Sequence, residues 1–411
     1  MFSALKSFLQ YKLKMFRNLS YIKKNSKLVI KRLRAKSKTQ KLEVVFYVYD
    51  ETKWKCQSLY DLFEKDENFN VKILVTRTNV SQINNPSYQP LENLEKVYNF
   101  FVQKGMNVEY AYDIQNDKFI PFEEFKPDII IYQHPWYVET SQGPVVCSKF
   151  ALTYYIPYFV ANAGLKEDYY LRFHQYVHKH YLLSQSLVDY FSPKMENKGR
   201  NLFAAGHPQL DFFYLNSIST DTNEYVIYAP HWTFGGRGLA YGTFEWNGQF
   251  ILEFAQNHPE INWVFKPHPL LKKALIDSEF MKEEDVEKYY DAWENIGTKC
   301  ESGDYLNLFA ESYAMITDCG SFLTEYFLTK KPLIHILSGK SQEFCPHCKK
   351  ICDSYYETDS LDGLKNLLEE VILQKNDYMK TKREQAVDNS VLNNNYAAKN
   401  ILEDIKQEVF E

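Results

Sequence analysis

The chain has no run of eighteen apolar residues, and a bilayer-crossing helix needs about twenty. No segment is therefore expected to span a membrane. A secretory signal is also lacking, because the opening residues alternate charged and apolar groups where a signal needs a continuous apolar stretch ending in small residues. Cysteines number seven, an odd count spread over 411 residues, which argues against a disulfide framework and for a reducing cytoplasm. Internal repeats are absent, as is any low-complexity tract beyond a basic opening. Acid is missing from that opening: residues 1–42 hold thirteen Lys or Arg and no Asp or Glu, so the rest of a chain of net charge −5 carries −18.

The basic opening has a helical pattern. Phe2, Leu5, Phe8, Leu9, Leu13, Phe16, Leu19 and Ile22 recur at three-and-four spacing, with Lys6, Lys12, Lys14, Arg17 and Lys23 largely off that face. A basic amphipathic helix with aromatic anchors suits an anionic inner-leaflet surface, where each cation contributes on the order of 1 kcal/mol. The competing readings are a helix packed on its own protein and a disordered basic arm. Nucleic acid is not expected as a partner, since the body of the chain is acidic.

After residue 42 the chain alternates strands and helices. Glu43–Tyr49, Val71–Thr76, Asn107–Ala111 and Asp128–Gln133 read as strands, with helices over Trp54–Phe63 and Leu91–Lys104. A second series starts at Tyr225–Pro230 and continues through a helix Phe244–Asn257, a strand Asn262–Lys266 and a helix Glu283–Asn295. Such alternation predicts parallel sheets covered on both faces, with ligands at the carboxyl ends of strands. Length supports two domains. The expected divisions are an arm at 1–42, a first Rossmann-like lobe at 43–218, a second at 219–387 and a terminal helix at 388–411. The lobe boundary falls in the polar, aperiodic stretch Asn216–Asn223.

The stretch Tyr313–Ile336 compresses a strand, a turn, a helix and a strand into twenty-four residues. Ala314–Ile316 has strand character, Thr317-Asp318-Cys319-Gly320-Ser321 supplies small and capping residues, and Phe322, Tyr326 and Phe327 recur at helical spacing before Pro332. A helix starting at Gly320-Ser321 offers free N–H groups and a positive dipole end to a phosphate. Asp318 reads first as a cap for that helix and otherwise as a residue that orients the loop.

Four blocks carry a family resemblance. Gly206-His-Pro-Gln-Leu-Asp211, Tyr228-Ala-Pro-His-Trp232, Lys266-Pro-His-Pro269 and Thr317-Asp318-Cys319-Gly320-Ser321 with Glu325 resemble, in order and spacing, motifs of the CDP-glycerol glycerophosphotransferases that polymerise teichoic acid and capsule. The resemblance implies an α/β fold of the glycosyltransferase-B (GT-B) type, two Rossmann-like lobes facing a cleft, with the last helix crossing back to the first lobe. It also implies attack by a hydroxyl of a polysaccharide or lipid-linked acceptor on the β-phosphorus of a CDP-polyol, releasing CMP at the inner face of the cell membrane. A sugar transferase using a CMP- or UDP-sugar, and a catalytically silent nucleotide-binding scaffold, are the alternatives.

By the same resemblance, His268 neutralises the pyrophosphate or protonates the leaving phosphate, and Lys266 is a phosphate partner. Tyr228, His231 and Trp232 line the cleft. Thr317, Asp318, Gly320 and Ser321 form the anion site, and Glu325 takes ribose hydroxyls. Where the family carries a W-H-G-T-P block with its general base, this chain has Ala161-Asn-Ala-Gly-Leu-Lys166. The base is therefore sought among His134 at a strand's carboxyl end, His174, His178 and His207. No D-x-D motif is suitably placed, so neither metal nor other cofactor is expected. Cys345-Pro-His-Cys348, followed by Cys352, has metal-like spacing around His347. Zinc normally takes two such pairs and no second follows, so reduced structural cysteines are expected.

Overall fold

In a computed structural model the chain is described over residues 2–79, 94–163, 171–216, 225–235, 238–299, 305–388 and 396–411. Two compact units emerge: Met1–Phe159 with Lys166–Asp211 and Leu392–Glu411, and Val160–Leu165 with Phe212–Val391.

The first unit is built on β1 (Leu42–Val48), β2 (Phe69–Val75), β3 (Val108–Tyr110), β6 (Ile129–Tyr132), β7 (Leu152–Tyr155), β8 (Lys179–Leu182) and β9 (Leu202–Ala204), while β4 (Tyr112–Asp113) and β5 (Lys118–Phe119) form a separate hairpin. The seven strands are parallel in the order β3-β2-β1-β6-β7-β8-β9. Strand β1 shows why its sequence is apolar without a break from Val44 onward. Val44, Phe46 and Val48 face one core with Leu59 and Phe63 of the helix Gln57–Lys65. Val45, Tyr47 and Tyr49 face another with Tyr132 and Phe173. Both faces of a parallel strand are covered, so period-two polarity disappears.

The basic opening is a helix, Phe2–Lys36, and it corrects the expectation of a separate arm. Val29 and Leu33 enter the first core beside Leu42, and Met15 and Ile22 pack with Tyr176. Arg32 and Lys36 pair with buried Asp128, and Arg34 donates to the carbonyl of Glu408. Leu9, Leu13 and Phe16, by contrast, are more than half exposed. The apolar residues therefore lie on two faces, of which only one is used by the fold. Among the described residues no helix is long and apolar enough to cross a membrane.

The terminal helix is shorter than expected, Ala397–Phe410, with another at Lys380–Asp388. Ile401, Ile405 and Val409 complete the first core. Asp211, which closes the first family-like block, caps this helix by accepting from the N–H groups of Ala397 at 2.6 Å and Ala398 at 2.9 Å. His207 of the same block is buried and donates through Nε2 to the carbonyl of Pro157 at 2.8 Å. That block is structural.

The second unit carries β10 (Tyr225–Ala229), β11 (Asn262–Phe265), β12 (Gly297–Lys299), β13 (Ser312–Thr317), β14 (Leu333–Ile336) and β15 (Tyr356–Thr358), all parallel in the order β12-β11-β10-β13-β14-β15. Counted within the unit this is 3-2-1-4-5-6, whose reversal between β10 and β13 opens a crevice at their carboxyl ends. Val226, Tyr228, Trp263, Phe265 and Trp293 form its core with the helices Phe244–Asn257 and Glu283–Ile296. The linker stretch Asn216–Asn223 lies outside the described residues except for Asn216.

Candidate functional site

The reversal point of the second sheet joins three of the family-like blocks. Strand β13 ends at Thr317, whose hydroxyl donates to the carbonyl of Ala229, the last residue of β10, at 2.6 Å and accepts from the N–H of Cys319 at 2.9 Å. Asp318 follows, fully buried. Its carboxylate accepts from the N–H of His231 at 2.6 Å, and from the N–H and hydroxyl of Thr243 at 2.7 and 2.8 Å. Burial pushes its pKa up to about 6, against the pull of these donors. Asp318 therefore does not cap the helix Gly320–Phe327, which has no side-chain cap. It ties the end of β13 to the loop after β10, and the first turn of the helix keeps its positive dipole end available to an anion.

Two histidines stand over this point. His268 is positioned by β11 and by its own N–H, which donates to the carbonyl of Pro230 at 3.0 Å. Its ring lies 5.0 Å from that of His231, centroid to centroid, and 6.0 Å from Trp232. The N–H of Leu270 donates to Nδ1 of His268 at 3.1 Å, and the N–H of Thr233 to Nδ1 of His231 at 3.3 Å. A main-chain N–H can only donate, so both Nδ1 atoms are acceptors and both protons sit on Nε2. Burial, reinforced by Lys266, pulls His268 down to about 4, and burial with His268 as neighbour pulls His231 down to about 3. Without a bound anion both are neutral at pH 7 and present Nε2–H donors. The expectation of a proton-donating His268 is thereby narrowed to hydrogen-bond donation, unless an incoming phosphate raises its pKa.

Other sequence candidates are placed differently. Tyr228 is a core residue, not a lining one: its ring stacks on Phe265 and its hydroxyl donates to Asn247 at 2.8 Å. Trp232 remains partly exposed beside His268. Lys266 is buried with its ammonium 4.9 Å from the Tyr305 ring centroid and 5.7 Å from that of Phe322. Glu325 is buried in the same cluster and accepts from the Tyr305 hydroxyl at 2.7 Å. Gly320 is required by packing, because a Cβ there would stand 2.7 Å from the Tyr241 ring. Ser321 is half-buried, with its hydroxyl 3.3 Å from the Cys319 sulfur.

In the first unit His134 follows β6 at the corresponding reversal point, between β1 and β6. It is fully buried against Tyr49, 4.1 Å between ring centroids, and Tyr158, and neither ring nitrogen has a partner. Burial, with Lys53 nearby, holds its pKa well down. His174 is likewise enclosed, stacked on His180 at 5.4 Å and pulled by burial to about 3. A group that takes a proton from an acceptor hydroxyl must reach it, so neither serves as the base in this conformation. His178 is structural, bridging Ser26 and Glu408 at 3.1 and 2.9 Å.

Asn162 was not foreseen. It lies in the segment that departs from the family, which belongs to the second unit up to Leu165; residues from 164 are not described. Its amide nitrogen donates to the carbonyls of Gly320 and, at 3.3 Å, Ser321, while its oxygen accepts from the Thr324 hydroxyl at 2.6 Å. Its own carbonyl accepts from the N–H of Cys345 at 2.6 Å. A lone Asn in a loop carries no sequence signal for a partner some 160 residues away.

No family model and no curated protein matches the chain. Solved structures do. The wall teichoic acid polymerase TagF superposes with a TM-score of 0.56 at 13% identity, covering 97% of this chain and 98% of that one. The UDP-GlcNAc 2-epimerase of Neisseria meningitidis, bound to UDP-GlcNAc, gives 0.55 at 14% identity over 90% of this chain and 100% of that one. The epimerase of Methanocaldococcus jannaschii gives 0.51 at 12% over 90% and 100%. The likeness is one of fold: the chain is an α/β protein of two Rossmann-like lobes, as in enzymes of the GT-B type.

Proposed function

We propose that the protein is a transferase that moves a polyol phosphate, glycerol- or ribitol-phosphate, from a CDP-polyol to a surface-polysaccharide or lipid-linked acceptor and releases CMP. The carrying observation is the reversal point of the second sheet, where two neutral histidines with Nε2–H donors lie ring to ring, one of them tied through its N–H to Asp318, at the strand end that leads into a helix with no side-chain cap. This donor set suits a diphosphate. The acceptor hydroxyl oxygen bonds to the β-phosphorus as the bridging P–O bond breaks, CMP carries off the electron pair, and the hydroxyl proton passes to the departing phosphate or to water. In the loose transition state of phosphoryl transfer, charge accumulates on phosphate oxygens, so positioned donors contribute more than a strong base. His268 and His231 supply those donors, and Asp318 fixes the loop that presents His231. The likeness to TagF, one of whose crystals was soaked with CDPG, agrees with this donor class.

The membrane part of the reading rests on the opening helix. Its exposed Leu9, Leu13 and Phe16, set among Lys and Arg, fit the inner face of an anionic bilayer.

The test is nucleotide release from CDP-glycerol, CDP-ribitol, CMP-sugars and UDP-sugars with crude lipid-linked acceptors. CMP from a CDP-polyol is expected. CDP or UDP release, or CMP from a CMP-sugar, would replace the reading with sugar transfer, and silence with every donor would replace it with a nucleotide-binding scaffold.

A further inference from the structure

The far edge of the second sheet holds a cluster that the transfer chemistry does not use. His335 of β14 and Glu357 of β15 are register partners on neighbouring parallel strands. Nδ1 of His335 stands 3.1 Å from Oε1 of Glu357. The helix Pro346–Cys352 ends beside them, so that one ligand atom each of His335, Cys352 and Glu357 lies within 4.8 Å of the others. His335 and Cys352 are buried, whereas the Glu357 side chain is 41% exposed, which leaves the cluster a way to solvent.

We propose that Cys352, His335 and Glu357 form a binding site for a divalent cation of the zinc class. Tetrahedral zinc, with bonds of about 2.0–2.1 Å to N or O and about 2.3 Å to S, sets its ligand atoms about 3.3 Å apart for N and O and about 3.5–3.8 Å apart where sulfur takes part. The 3.1 Å separation of His335 and Glu357 is close to the first edge, and the 4.8 Å bound on the triad accommodates the others with a small contraction. A thiolate and an imidazole select zinc over calcium or magnesium, and with a single cysteine in the set an iron–sulfur cluster is a poor fit. Three protein ligands leave the fourth position to water, on the side where Glu357 is exposed. The cation would fasten the three-residue edge strand β15 to the helix end and to β14. The C-x-x-C spacing in the sequence pointed at Cys345 and Cys348, but the geometry leaves both outside the triad and takes Cys352 instead. The two remaining ligands come from strands whose pairing no local spacing reveals.

The test is metal content and cobalt binding of the full chain under reducing conditions. Incubated with excess zinc and desalted, the wild type is expected to retain one equivalent. Cobalt is expected to give a thiolate-to-metal charge-transfer absorption that saturates at one equivalent. Cys352→Ser and His335→Gln should each weaken cobalt at least about tenfold, while Cys147→Ser, a buried cysteine of the first unit, should leave it unchanged. If the ligand variants do not fold, the wild-type titration alone decides: absence of retained zinc together with absence of the charge-transfer band would overturn the site. Full cobalt binding by folded Cys352→Ser would overturn it equally. Neither readout involves transfer activity, so the outcome is independent of the donor specificity.

Discussion

The carboxyl ends of β1 and β6 and those of β10 and β13 are the same place in two sheets with the same internal strand order, and they are furnished in opposite ways. In the first unit the point is filled. His134 is covered by Tyr49 and Tyr158, and Gln133 accepts one main-chain bond, from the N–H of Lys55 at 2.8 Å. In the second unit the point is braced and carries donors, with Asp318 taking three bonds and main-chain N–H groups at Nδ1 keeping the protons of His231 and His268 on Nε2. A Rossmann-like sheet supplies a crevice; whether that crevice becomes a site depends on whether its polar groups are spent on the fold or held available by it.

The largest expected effect breaks this comparison at its histidines. His268→Ala should lower kcat for CMP release about 10²–10³-fold by removing a donor that acts in the transition state, while His134→Gln should stay within about threefold. Steady-state kinetics on both, with melting curves to show that both fold, decide the matter. Equal losses would mean that the first unit's point opens during turnover.

The braces come next. Asp318→Asn puts an amide N–H₂ against main-chain donors that now meet a carboxylate, and should cost roughly 2–4 kcal/mol, whereas Gln133→Leu, which loses one neutral bond, should cost about 1 kcal/mol. Because the two units need not unfold together, the readout is amide exchange in each. Slowed or unchanged exchange around 231–235 and 238–243 in Asp318→Asn would remove Asp318 from the role assigned to it.

What the sequence disclosed follows the range of the interactions. The helix Phe244–Asn257 is found at its expected limits and the strand of Tyr225–Ala229 within one residue, because period and run length are local. Strands β7, β8 and β9 escaped: Leu152-Thr-Tyr-Tyr155, Lys179-His-Tyr-Leu182 and Leu202-Phe-Ala204 are short and partly polar, too little for a periodic signal. The reversal point could be located from strand order and the motif blocks. The use of its residues could not, because Asp318 meets Thr243 and His231 from 75 and 87 positions away. Tyr228 was drawn toward the chemistry by its motif block and His174 by its residue type and place in the chain, and burial returns both to the core.

Acid should separate the units by smaller increments. His134 and His180 are held well below their ordinary range by burial, and His174 and His207 are held at about 3 and about 4. A histidine with a lowered folded pKa stays neutral while the unfolded chain protonates below about 6.5, so stability falls with pH by up to about 1.4 kcal/mol per unit and histidine. The second unit has His231, His268 and His347 of the same sign. Against them Asp318, raised to about 6, and His335, raised to about 9, bind their protons in the fold before the unfolded chain does and add stability as pH drops, where the first unit has Asp211 raised in the same way. Exchange protection from pH 7 to pH 5 should therefore fail in the first unit before the second; simultaneous loss would mean that the enclosed histidines of the first unit do not control its stability.

The finest test concerns the one segment that leaves the first unit's stretch of chain to join the second. Asn162 bridges the first turn of the helix Gly320–Phe327 and Thr324 with a neutral amide, so Asn162→Ala should destabilise by about 1–2 kcal/mol through a few lost neutral bonds. Its kinetic signature is more informative. If Asn162 merely steadies the helix whose N-terminus receives the diphosphate, KM for the donor should rise a fewfold with kcat nearly unchanged, since uniform binding is what a loosened anchor loses. A fall in kcat at constant KM would instead make this segment part of the transition state. That outcome would give the second unit a catalytic group at the position where the resembling family keeps its base.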